Sequence, residues 1–216
     1  MPLSCRHTMI KPPTTEALKF PRGVRLATEV EIPRSKDKLD ALARIQNANI
    51  TTGFVLTTTA DPGFSTYIEA NVHADEIWSA FESLAVRLLP DVSAPLIGWK
   101  DDDVTFGPYT SKSAALAVFR THAECLQHDG FIEFGLMFQQ GGKTEEVMVT
   151  GSKYLRIWTN NPTLASETLL SHGIACVDKL QFIDDYPRVT ERIVGIPTSD
   201  ETISAIISAF QSLPIV

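Results

Sequence analysis

The residue types best suited to binding another molecule lie on one predicted strand in the second half of the chain. Tyr154, Arg156 and Trp158 alternate with Leu155 and Ile157, and successive side chains of a strand point to opposite faces of a sheet. Tyr, Trp and Arg are also the residue types that dominate the energetics of protein interfaces. If the two aliphatic side chains face the core, the other three form a row that is open to a partner.

Carboxylates on neighbouring predicted elements extend this row. On the predicted strand at 131–139, Glu133 lies on the face opposite Ile132 and Phe134. The full set of candidate binding residues is Glu133, Glu145, Glu146, Tyr154, Arg156, Trp158 and Gln181. The first half of the chain offers similar residues in a corresponding place, namely Tyr67, Glu69 and Asn71. The alternative is that these faces pack on each other, with Arg156 in a cross-strand ion pair to Glu133 or Glu146.

The chain lacks the short motifs of common enzymes. It contains no glycine-rich phosphate loop, no HExxH helix and no GxSxG nucleophile turn. The remaining acid–base candidates are His73 with Asp75, and His172 near Cys176. A thiol just after a helix C-terminus meets the negative end of the helix dipole, which raises its pKa and lowers its reactivity. We therefore predict no catalytic residue.

Two groups of metal-ligand residue types occur, and neither has the spacing of a metal site. His122, Cys125 and His128 follow one another at intervals of three on a predicted helix, so the two imidazoles diverge by about 120° around its axis. The three aspartates at 101–103 are adjacent, whereas calcium loops use alternate positions and a distal glutamate. We therefore predict no metal and no cofactor.

The elements that must position these residues follow two successive β-α-β-β-α-β patterns. The first has predicted strands at 24–32, 50–58, 65–72 and 95–99 and helices at 35–48 and 75–89. The second has strands at 104–106, 131–139 and 178–183, and between them 145–150 and 154–159, which are either one long strand interrupted at Gly151 or two short strands. Its helices are at 111–129 and 161–173, and a final helix follows the capping box of Thr198 and Glu201. This order is that of a ferredoxin-like unit. We predict an α+β fold of two tandem ferredoxin-like (βαββαβ) units with antiparallel sheets, the alternative being one shared mixed sheet with helices on one face.

Composition indicates a soluble globular chain with an uneven charge distribution. Apolar residues make up 44% of the 216 residues and charged residues 21%, and no apolar run approaches the ~18 residues that a membrane helix needs. Residues 1–23 are predicted to be a flexible tail, 24–100 a first α+β unit, and 101–216 a second, acidic α+β unit. Residues 1–100 together sum to zero charge, and residues 101–216 sum to −7. Three widely spaced cysteines and the lack of an export signal favour free thiols and a cytoplasmic location.

These features favour a binding protein over an enzyme. An acidic half is unsuited to nucleic acid, because phosphates need a cationic surface, and it attracts a protein partner with a basic surface. The leading hypothesis is a non-catalytic immunity- or inhibitor-type protein that occludes a cationic protein such as a nuclease toxin, without contact with a membrane. The alternative is a small-molecule enzyme or ligand-binding protein that uses a cleft between two ferredoxin-like sheets, with Arg156 holding a carboxylate and Glu133 acting as the base. A homodimer that pairs sheet faces is the third hypothesis.

Overall fold

The structure, a computed structural model, describes residues 16–34, 37–100 and 102–215. Its strands are β1 (Val24–Leu26), β2 (Gly53–Thr58), β3 (Thr66–Asn71), β4 (Val92–Trp99), β5 (Thr105–Phe106), β6 (Thr110–Ser111), β7 (Ile132–Gln140), β8 (Lys143–Val149), β9 (Leu155–Thr159) and β10 (Arg188–Thr190). Its α-helices are α1 (Lys38–Gln46), α2 (Ile77–Leu88), α3 (Lys112–Thr121), α4 (Ala123–His128), α5 (Pro162–Ser171) and α6 (Ser199–Gln211). Most of the predicted tail, residues 1–15, lies outside the described residues, as do Ser35 and Asp101.

The main sheet combines strands from both halves of the chain. Its order is β2-β3-β9-β8-β7-β4-β5, with β6 paired to β4, and all of these pairs are antiparallel. Strand β3 of the first half pairs with β9 of the second, and β4 pairs with β7. The α+β class is therefore confirmed. The described strands do not divide into two ferredoxin-like sheets, however; they form one shared sheet, which is antiparallel rather than mixed.

Helices α2, α3, α4 and α6 pack against one face of the main sheet, and α5 packs on α2. Helix α2 presents a stripe of Ile77, Phe81 and Leu84, as the i, i+4, i+7 spacing predicts. This stripe is fully buried and belongs to one core with Ile68 of β3 and Ile157 of β9. Because burying each large apolar side chain contributes roughly 1.5–3 kcal/mol, this core determines which side of each strand is covered.

A small two-stranded sheet lies beside the main sheet. Strand β1 pairs antiparallel with β10, and a separate small core gathers Val24, Ile50 and Ile183. The strand expected at 178–183 is wrong, because that segment is irregular until a 3-10 turn at Ile183–Asp185. Residues 178–182 therefore do not pair with a strand of the main sheet.

Two helices depart from the sequence-based expectation. The helix expected at 111–129 is divided, since α3 ends at Thr121 and α4 begins at Ala123. Helix α1 has no buried residue, and Leu39 within it is 78% exposed, so its apolar spacing does not face the core. None of the helices in the described ranges has the length and apolar character needed to cross a membrane.

Helices α5 and α6 begin at caps that the sequence encodes. The Asn161 side chain accepts the Leu164 N–H at 3.2 Å, and Gly173, with a φ of +74°, follows the end of α5. Before α6, the side chains of Thr198 and Glu201 each accept the backbone N–H of the other. These caps fix the ends of both helices without help from the rest of the fold.

Candidate functional site

The face of the main sheet that points away from the helices is called the open face here. Defined by strand register, its residues include Val55, Thr57, Tyr67, Glu69, Glu133, Met137, Glu146, Met148, Arg156 and Trp158. The register aligns them in two rows across the strands. The Trp158 row contains Tyr67, Trp158, Glu146 and Met137, and the Arg156 row contains Glu69, Arg156 and Met148.

The Trp158 row places aromatic rings beside a carboxylate. The ring centroids of Tyr67 and Trp158 lie 5.2 Å apart with 43° between the ring planes, and both side chains are half-buried. Glu146 lies opposite Trp158 on one side and Met137 on the other. Its surroundings remove water from the carboxylate, and this burial raises the pKa of Glu146 to about 7.

The Glu146 carboxylate differs from its neighbours because nothing in the described part of the chain pairs with it by a hydrogen bond or an ion pair. In contrast, Glu145 Oε1 accepts the Asn160 N–H at 2.8 Å, and Glu133 Oε1 accepts the Gly151 N–H at 2.9 Å. A half-buried carboxylate without a partner is unfavourable when it is charged. The arrangement therefore suits a cationic group that arrives from solvent and lies against the neighbouring indole ring.

Arg156 is held by residues of its own surroundings. Its Nη2 donates to the Tyr154 hydroxyl at 2.5 Å, and its Nε lies 3.8 Å from Glu69 Oε1. Glu69 also accepts a 2.8 Å hydrogen bond from the Tyr67 hydroxyl, and burial together with this bond raises the pKa of Tyr67. The ion pair expected between Arg156 and a carboxylate of β7 or β8 is wrong, because its partner is on β3. Its positive charge is thus balanced within the open face.

Tyr154 is not accessible at the surface. It is 4% exposed, and its ring centroid lies 4.7 Å from that of Phe182. Its hydroxyl donates to Asp184 Oδ2 at 3.4 Å. The segment that was expected to form a strand at 178–183 covers this end of the sheet instead. Gln181 belongs to the same segment, where its Oε1 accepts the Asn49 N–H at 2.7 Å.

The predicted binding residues are therefore only partly brought together. Those that meet on the open face are Glu146, Arg156 and Trp158. Glu133 lies at the end of that face, Glu145 lies on the opposite face, and Tyr154 and Gln181 belong to the covered end. Met137 and Met148 flank Glu146 on this face, and this position could not be predicted because alternation gives the face of a side chain but not its neighbours.

The helix-covered side contains an ionisable residue that sequence analysis missed. Lys153 is 2% exposed, its Nζ donates to the Ile132 carbonyl at 2.6 Å, and it lies 5.7 Å from the Phe134 ring centroid. Burial lowers the pKa of Lys153 to about 7, although the negative charge of Asp129 opposes the shift. Its φ of +63° is left-handed, which costs a non-glycine residue roughly 1–2 kcal/mol. A lysine in a short polar segment gives no sequence signal for such burial.

The other chemical candidates make contacts within the fold. His73 Nδ1 accepts the Lys19 N–H at 3.1 Å. Cys125 is a buried free thiol 3.1 Å from Thr202 Oγ1, and burial raises its pKa. Cys176 is disulfide-bonded, so the expectation of three free thiols is wrong there and no longer supports a cytoplasmic location. Among the described residues, no three His, Cys, Asp or Glu side chains are grouped closely enough to hold a metal ion.

Comparison with known proteins adds no relative to this description. No protein-family model, curated protein or solved structure matches the chain. The function must therefore be argued from the geometry and charge of the open face.

Proposed function

We propose that this protein is a non-catalytic, acidic binding protein whose open face covers a basic surface of a protein partner. In the sharper form of the proposal, it is an immunity- or inhibitor-type protein that occludes a cationic protein such as a nuclease toxin. One observation carries the proposal: the half-buried Glu146 carboxylate, unpaired within the described residues, lies directly opposite Trp158 on the neighbouring strand.

The Trp158 row matches the chemistry of a lysine or arginine side chain. A cation within about 6 Å of an indole ring gains roughly 0.5–2 kcal/mol, and Glu146 would complete an ion pair with the same cation. Because this carboxylate is already half-buried in the free protein, part of its desolvation cost is incurred before binding. The pair therefore contributes more than an ion pair between fully exposed groups does.

The charge of the whole chain supports the same kind of partner. A net charge of −7 accelerates the approach of a basic protein and slows that of an acidic one. Aromatic contacts then reduce the rate of dissociation. In this proposal the partner is a protein and neither a nucleic acid nor a membrane. The cytoplasmic location and the homodimer remain predictions from the sequence.

Affinity capture with matched variants tests the proposal. The wild-type chain, Trp158→Ala and the control Phe106→Ala, which removes an exposed aromatic ring at the far edge of the sheet, are each exposed to cell extract. We expect the wild type and the control to retain a basic protein at low ionic strength, and Trp158→Ala to lose it. High ionic strength should release it from the wild type and the control. The proposal is contradicted if the basic protein is retained equally at low and high ionic strength and equally by Trp158→Ala and the wild type.

The alternative of a small-molecule enzyme or ligand-binding protein requires a cleft between two sheets. The described strands of both halves share one main sheet. The depression lined by Ile97, Phe106 and Phe210, between β5 and α6, has a volume of about 70 Å³, whereas ligand pockets are typically about 300–1,000 Å³. The open face is therefore the better basis for a proposal.

A further inference from the structure

The outer edge of β2 has backbone groups that point away from the sheet. The Phe54 N–H donates to the Ala175 carbonyl, and the Phe54 carbonyl accepts the Val177 N–H, both at 2.9 Å, so both groups point away from β3. Backbone direction alternates along a strand. The N–H and C=O groups of Leu56 and Thr58 therefore also point outward, and within the described residues they have no hydrogen-bond partner.

This edge lacks the features that natural proteins use to block strand addition. Edge strands are usually protected by charged side chains, by proline or by being very short. The segment at 50–60 contains no charged residue and no proline, and Thr57 and Thr58 are exposed. The opposite edge of the main sheet is different, because β5 has two residues and is followed by Gly107 and Pro108. The edge at β2 is thus competent to accept another strand.

The fold itself shows that this edge accepts a chain segment. Cys176 forms a parallel bridge with Phe54, so the segment at 175–177 occupies the row beside the beginning of β2. Beside Leu56 and Thr58, no segment of the described part of the chain occupies the same row. An added strand would therefore begin opposite Leu56 and continue past Thr58 towards the tip of the β2–β3 hairpin.

We propose that a basic, extended segment of the protein partner binds as an added β-strand along the outer edge of β2; this inference rests on the proposed function above. Alternate side chains of such a strand project onto the open face beside Val55 and Thr57. Glu69 lies directly opposite Val55 on β3, roughly 10 Å, or two strand spacings, from the added strand. The Glu69 carboxylate already pairs with Arg156 and accepts the Tyr67 hydroxyl, so the net charge of −7 on the chain is what favours a basic segment over a neutral one.

Two peptides of equal charge separate strand addition from simple charge attraction. A short peptide of alternating threonine and lysine can extend β2. A control peptide of alternating proline and backbone-N-methylated lysine (the proline–lysine peptide) cannot donate hydrogen bonds to β2, because no residue within it has a backbone N–H group. We expect the threonine–lysine peptide to bind the wild type at least about fivefold more tightly in an NMR titration, which corresponds to the net contribution of one hydrogen bond. We also expect its binding to slow hydrogen exchange of the Leu56 and Thr58 amides.

A substitution at the edge isolates the backbone contribution. Thr58→Pro removes an outward N–H that β3 does not use, and Thr58→Ala keeps it. We expect Thr58→Pro to lower affinity for the threonine–lysine peptide about fivefold and to leave the proline–lysine peptide unchanged, while Thr58→Ala has no such effect. If Thr58→Pro does not fold, the inference is tested by hydrogen exchange alone, measured at the Leu56 and Thr58 amides of the wild type with and without the threonine–lysine peptide.

Three results would overturn the inference. The first is equal affinity for the two peptides. The second is unchanged exchange of the Leu56 and Thr58 amides upon binding. The third is a wild-type dimer in sedimentation that Thr58→Pro converts to a monomer, since the occupant of the edge would then be a second copy of this chain. None of these results removes the proposed function, which fails separately if Trp158→Ala retains the basic protein in affinity capture as the wild type does.

Discussion

The two faces of the main sheet use the same strands for different purposes. On the helix-covered face, Phe81 of α2 and Phe134 of β7 are fully buried, with ring centroids 5.0 Å apart. On the open face, Trp158 and Arg156 of β9 are half-buried and no helix of the described core packs over them. Alternation along one strand therefore separates residues that hold the fold from residues that are available to a partner.

Each face also contains one ionisable side chain whose pKa lies near neutrality, and the two differ in what can reach them. Lys153 is enclosed, with the Ile132 carbonyl as its hydrogen-bond acceptor, so its titration affects the free energy of unfolding. Glu146 is half-buried at the surface, so its titration also affects the binding of a cation. Whether an ionisable side chain affects the free energy of unfolding or the binding of a partner therefore depends on its access to solvent rather than on the sign of its charge.

The largest expected effect concerns the helix-covered face. Phe81→Ala removes a fully buried ring from the core and should lower the free energy of unfolding by roughly 3–5 kcal/mol. Trp158→Ala, on the open face, should lower it by less than half as much. Denaturant titration of both variants measures the difference. Equal losses would mean that Trp158 is part of the core and would remove the distinction between the faces.

The next effect is a pH dependence from Lys153. Burial lowers its pKa from 10.5 to about 7, so between these values the folded chain binds fewer protons than the unfolded chain. Stability therefore rises with pH, by about 3 kcal/mol from this residue between pH 7 and about 9.5. Lys153→Met should remove this rise. Denaturation at several pH values tests it, and parallel profiles for the variant and the wild type would contradict the role of this lysine.

Truncation on the open face should affect affinity more than stability. Trp158→Ala should weaken binding of the basic partner by about 2 kcal/mol or more, as expected for an aromatic anchor. Phe106→Ala, at the far edge of the sheet, is the matched control and should leave affinity unchanged. Isothermal titration of both variants makes the comparison. An equal loss in the control would show that the loss of affinity is not specific to the Trp158 row.

The smallest expected effect is the pH dependence of binding through Glu146. Its raised pKa of about 7 means that the carboxylate is mostly protonated at pH 6 and must lose a proton to pair with a cation. Affinity for a lysine-containing peptide should therefore rise by up to about tenfold between pH 6 and pH 8. Glu146→Gln should abolish that rise. If Glu146→Gln keeps the full pH dependence of affinity, a titratable group other than Glu146 causes it.

Features encoded within a few residues could be predicted from the sequence. The apolar stripe of α2 and the caps at Asn161 and Thr198 depend on local spacing alone, and the structure shows all three. Alternation also assigned Arg156 and Trp158 to the face opposite Ile157, as the register shows. Periodicity gives the face of a side chain because that information is contained in the strand itself.

Features that depend on distant pairing could not be predicted in this way. The sequence of β3 does not specify which strand it pairs with. It pairs with β9, and the paired residues are about 90 positions apart in the chain. Tyr154 follows the expected alternation, yet Phe182 covers it because the segment at 178–183 does not form a strand. Glu69 was likewise not recognised as the partner of Arg156. Local patterns do not specify which strand becomes the neighbour.

Oxidative footprinting of the chain in complex with the basic partner tests the central claim most directly, because hydroxyl radicals label exposed tryptophan and methionine side chains. Trp158 and Met137 lie in one row of the open face, and Phe106 lies at the far edge. Our account predicts that labelling of Trp158 and Met137 falls when the partner binds while that of Phe106 stays constant. Unchanged labelling of Trp158 in a complex that has formed would contradict it.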